Sequence, residues 1–76
     1  MGIDTRELER LEALAERFYT AMYDARRPKD DYEDACIHFQ RAIDEARRLG
    51  LEDEAARLTR RLHHVSAVYG SQFRGF

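Results

Sequence analysis

This chain has little of what marks catalytic, secreted or membrane proteins. A single cysteine, Cys36, in 76 residues excludes an internal disulfide framework and fits a reducing compartment, so a cytoplasmic location is expected. No apolar run approaches the roughly 18 residues that a membrane span needs, and Met1 to Thr5 does not read as a signal peptide. One proline and four glycines leave few breaks, and the glycines fall at the ends or in a turn rather than in a phosphate-binding loop. HExxH, paired CxxC and nucleophile-elbow patterns are missing. So is an excess of basic residues: the net charge is -2 and the pI about 5.9, which argues against a nucleic-acid partner.

What is there is helical periodicity. The stretch from Asp30 to Gly50 organises the rest. Its Tyr32, Ala35, Phe39, Ala42, Ala46 and Leu49 recur at alternating spacings of three and four, and Cys36 and Ile43 widen the stripe. Asp30 and Glu33 have the spacing of a capping box, Arg47 and Arg48 suit the negative end of a helix dipole, and Gly50 suits its left-handed termination.

The flanking segments repeat the pattern. Leu8, Leu11, Ala15, Phe18, Met22 and Ala25 form a stripe after a second capping-box spacing, Asp4 with Glu7, where Ile3 could staple onto Leu8. Leu51, Ala55, Leu58, Leu62, Val65 and Tyr69 form a third, behind the acids Glu52, Asp53 and Glu54. Short joints at 26–29 and at Gly50 suit antiparallel neighbours. The expected fold is therefore all-α, an antiparallel up-down-up three-helix bundle in one domain over 1–76, with helices at about 5–26, 31–49 and 52–69. Gly70 is a natural stop, yet Tyr69, Phe73 and Phe76 keep helical spacing past it. The 70–76 tail is thus open to two readings, continuation or folding back.

A 9.0 kDa chain buries on the order of 8,000 Å² on folding, about 60% of it apolar, which is roughly 120 kcal/mol of stabilisation. Ordering the backbone and side chains costs roughly 115 kcal/mol. A domain balanced so finely gains from covering a further apolar strip with a partner or a second copy.

Candidate chemistry reads more plainly as structure. Asp34, Cys36 and His38 lie within one turn of each other, but Cys36 falls on the shoulder of the apolar stripe, where it acts as a small hydrophobe. His63 and His64 project about 100° apart on the outer side of their helix and do not converge on one ion. No catalytic, cofactor-binding or metal residue is assigned, and no enzymatic activity is expected. Arg47, Arg48, Arg57, Arg60 and Arg61 could gather against phosphates, giving a small nucleic-acid-associated regulator as the alternative function, but acids at spacings such as Asp53–Arg57 and Glu54–Arg57 favour pairing within the helix. The more informative surface is aromatic: Val68, Tyr69, Phe73 and Phe76, with Tyr23, are expected to form a patch that a protein partner or a second copy covers.

In YEDACIHFQRAIDEA, Ala35, Phe39 and Ala42 have the small-large-small spacing of the second helix of a tetratricopeptide repeat, which this segment resembles. Phe18, Ala21, Met22 and Ala25 resemble the first helix of that unit. The chain is also similar to MIT domains in length, helix count and the YEDA…F..AI stretch. Both resemblances imply a helical protein-interaction or self-association module.

Overall fold

The structure, a computed structural model, describes residues 2–24 and 26–73. Its order is α1 (Arg6–Ala21), α2 (Pro28–Arg48), α3 (Glu52–Val68) and a π-helical turn, η1 (Tyr69–Phe73), with no strand among the described residues. This is an all-α three-helix bundle. α2 is the middle helix: both α1 and α3 pack directly on it, whereas α1 and α3 reach each other through long side chains.

The periodicity explains why. Ala35, Ala42 and Ala46 are completely buried on α2, and their lack of bulk lets both neighbours approach its backbone. Phe39, also completely buried, fills the space between, with Leu8, Leu11 and Ala15 of α1 on one side and Ala55, Leu58 and Val65 of α3 on the other. Phe18, on the stripe of α1, is half-buried at the rim of the core.

The helix ends depart from the sequence reading in instructive ways. α2 begins at Pro28, not near residue 31, because proline at the first helical position has a preset φ and lacks an N–H that would find no partner there. Asp30 then lies inside the first turn, where it favours the dipole without capping, and Glu33 reaches Lys29 at 3.9 Å rather than closing a box. At α1 the Asp4 carboxylate accepts the Arg6 backbone N–H at 3.0 Å, but Glu7 pairs forward with Arg10, and Ile3 stays exposed rather than stapling. α1 stops at Ala21 instead of about residue 26: the N–H groups of Tyr23 and Asp24 bond three residues back, to Thr20 and Ala21, tightening the last turn until it ends. Ala25 lies outside the described residues.

The α2–α3 joint follows the sequence closely. Gly50 takes φ +77°, the Leu51 N–H donates to the Ala46 carbonyl at 2.8 Å, and the Gly50 N–H donates to that of Arg47 at 3.0 Å. This pair of bonds satisfies two carbonyls at the end of α2 and turns the chain into α3 with Leu51 against the core. Past α3 the chain continues directly into η1, which contains Gly70 and reaches Phe73; the rest of the 70–76 tail lies outside the described residues.

Phe39→Ala should cost about 3–5 kcal/mol, because Phe39 is the largest fully buried side chain among the described residues and its removal leaves a cavity; a thermal melt close to wild type would place Phe39 outside the core. Gly50→Ala should cost about 1 kcal/mol, all of it conformational, since an added Cβ at Gly50 meets nothing within 4 Å. Chemical denaturation of that variant should shift the midpoint and leave the slope alone.

Candidate interaction surfaces

Three surfaces carry features beyond a plain helical bundle. The first is the end of the molecule where α1 finishes, α2 starts and η1 closes α3. Tyr32 stacks on Tyr69 with ring centres 4.0 Å apart, Tyr69 lies parallel to Phe73 at 6.3 Å, and Phe73 meets Tyr23 edge-on at 5.1 Å. Tyr23 in turn meets Tyr19 edge-on at 5.7 Å, so five rings from all three helical segments form one continuous row. The π-helical turn holds Tyr69 and Phe73 on the same side of the chain, four residues apart. Hydroxyls finish the row: Tyr32 donates to Ser66 at 3.2 Å, and Tyr19 and Tyr23 share a hydrogen bond at 3.1 Å. That shared bond, with partial burial, raises the Tyr19 pKa above its ordinary value.

Of the residues expected to form an aromatic patch, Tyr23, Tyr69 and Phe73 are thus brought together. Val68 is half-buried beside them without a place in the row, and Phe76 lies outside the described residues. Most of the row is spent on closing the bundle end, since Tyr19 and Tyr32 pack on the core and Tyr69 and Phe73 are half-buried. Tyr23 is the exception: half of its surface remains exposed.

The second surface joins α1 to α3. Arg57 donates to both oxygens of Glu12, at 2.9 and 2.8 Å, and to Glu54 at 2.7 Å. One turn further on, Arg61 donates to both oxygens of Glu16, at 2.8 and 2.9 Å, with its guanidinium 5.0 Å from the centre of the Tyr19 ring. The forked geometry fixes the helix register, and sequence spacing revealed only the local half of it, Glu54–Arg57. Arg48 is likewise engaged by Glu45 at 2.8 and 2.7 Å. Three of the five arginines that could have met phosphates are therefore already neutralised within the chain.

The third surface was not anticipated. An open depression of about 590 Å³ runs along the outer side of α1, with Leu14, Phe18 and Ala21 as its apolar part and Glu16, Arg17, Thr20 and Asp31 around them. The signal was present in the sequence, where Leu14 and Ala21 lie beside the main stripe rather than on it. They remain half-buried because that flank of α1 is left open by the described residues.

The thiol and the imidazoles stay apart. Cys36 and His38 are two residues distant on a helix, about 200° around its axis, so they face different sides of α2. His38 stacks at 5.1 Å on Phe18 and donates through Nδ1 to the Asp34 carbonyl at 2.8 Å. His63 and His64 are exposed, and no three metal-ligating side chains converge among the described residues. No family model, curated protein or solved structure matches the chain.

The Arg57 guanidinium bonded to Glu12 holds that carboxyl below its ordinary range, while partial burial opposes the shift. A depressed folded-state value means a contribution fully present above the ordinary pKa of 4.5 and lost as pH falls through the lowered value. Stability measured from pH 7 downward should therefore decline below about pH 4.5, and Glu12→Gln should flatten part of that decline while costing at most about 1 kcal/mol at neutral pH. An identical acid limb in wild type and variant would remove Glu12 from the account.

Proposed function

We propose that this chain is a small, non-enzymatic protein-interaction or self-association module that works in the cytoplasm. The observation that carries the reading is the aromatic row, in which the ring of Tyr23, between Phe73 and Tyr19, stays exposed. Exposed aromatic rings held rigid by their neighbours make effective contacts, because they bring large area with little entropy left to lose. The tetratricopeptide-like and MIT-like spacing of α2 supports the same class of function. The alternative, a nucleic-acid-associated regulator, retains Arg47 and Arg60 as exposed cations but loses Arg48, Arg57 and Arg61 to intramolecular carboxylates. No helix among the described residues is long and apolar enough to cross a membrane.

Tyr23→Ala should weaken association with the partner, or with a second copy, by about 1–2 kcal/mol while leaving the fold intact. Truncation after Gly70 should do the same with some loss of stability, since it removes the Phe73 contact. Light scattering and co-purification from the native extract measure both. Unaltered binding in Tyr23→Ala and in the truncated chain would remove the aromatic end as the binding surface.

A further inference from the structure

We infer that the outer flank of α1 seats a second copy of this chain, in a two-fold contact closed by Arg17 of each copy against Asp31 of the other. The inference rests on the interaction-module reading above and names the partner for one of its surfaces.

Leu14, Phe18 and Ala21 follow one another at helical spacing and give the depression a continuous apolar strip that stays half open to solvent, although His38 of α2 stacks on Phe18. Arg17 and Asp31 border the same strip, one from each helix. Among the described residues neither has an ion-pair or side-chain hydrogen-bond partner, although arginines and carboxylates are paired over much of the surface. Glu16, on the same border, is already held by Arg61. What is left uncompensated beside the strip is thus one cation and one anion.

That balance selects the occupant. A two-fold axis turns every contact between residue i and residue j of the other copy into its reciprocal, so a patch with one free charge of each sign satisfies itself. An acidic partner would leave Asp31 facing like charge, and a basic partner would do the same to Arg17. The domain has reason to use such a contact, because among the described residues five of the twelve buried apolar side chains are alanine and the core they build is small.

Charge reversal tests this directly. Sedimentation equilibrium over a concentration series should show a wild-type dimer, and Arg17→Glu or Asp31→Lys alone should each weaken it by roughly tenfold or more, because each reversal creates two repulsive pairs per dimer. Circular dichroism should find both variants folded. An equimolar mixture of the two should form a heterodimer more tightly than either forms a homodimer, since every pair across that interface is then of opposite sign, and the double variant should self-associate like wild type. A dimer indifferent to both reversals overturns the inference while leaving the interaction-module reading standing, and its loss on truncation after Gly70 would assign self-association to the aromatic end instead. A wild-type chain monomeric at every concentration overturns the inference as well; only if that chain also failed to co-purify any protein from the native extract would the broader reading fall with it.

Discussion

The structure depends on how closely two helices can approach a third. α2 carries alanine at 35, 42 and 46 on the face it turns to its neighbours, and all three are fully buried. Small side chains bring the backbones together, and one large ring, Phe39, is fully buried in the cluster that all three helices build. With longer residues at those positions α1 and α3 would be pushed outward, and the clasps from Arg57 to Glu12 and from Arg61 to Glu16 would no longer reach. The ion pairs therefore set register and are secondary in energy, since exposed pairs contribute little compared with the burial beneath them.

The same close approach shapes the surface. Because α1 and α3 both lie on α2 and meet only through long side chains, the bundle is not closed evenly around its axis. The α3-facing side of α1 is bound by carboxylate–guanidinium pairs and by the edge-on rings of Tyr19 and Tyr23, while its other flank keeps Leu14, Phe18 and Ala21 half open. What the described residues of such a bundle offer is faces, and the proposed contact function is built on them.

Much of the fold was legible in the sequence, and the reasons differ from element to element. The stripes of α2 and α3 announced the core because periodicity reports burial directly, and Gly50 announced its turn because a left-handed residue is needed there. Helix starts were read less well. Asp30 and Asp4 have capping spacing, yet Pro28 and Thr5 set the actual boundaries, since the choice among neighbouring starts depends on tertiary placement that local spacing does not encode. The early end of α1 had no sequence signal, as Met22 and Tyr23 fit a continuing helix well. Of the aromatic patch, Tyr23, Tyr69 and Phe73 were foreseeable from spacing, but the stacking of Tyr69 on Tyr32 required knowing that α3 continues as a π-helical turn. The flank at Leu14 was visible only as residues slightly out of phase with the main stripe, a signal too weak to single out without knowing where α3 lies.

Native-state hydrogen exchange measures the central claim most directly, because it ranks helices by the free energy needed to expose their amides. If α2 is the element on which the other two depend, the slowest amides will lie in its middle, from about Phe39 to Ala46, and will exchange only with global unfolding, while amides of α1 and α3 open earlier. Slowest exchange in α1 or α3, with the middle of α2 exposed by local opening, would contradict it.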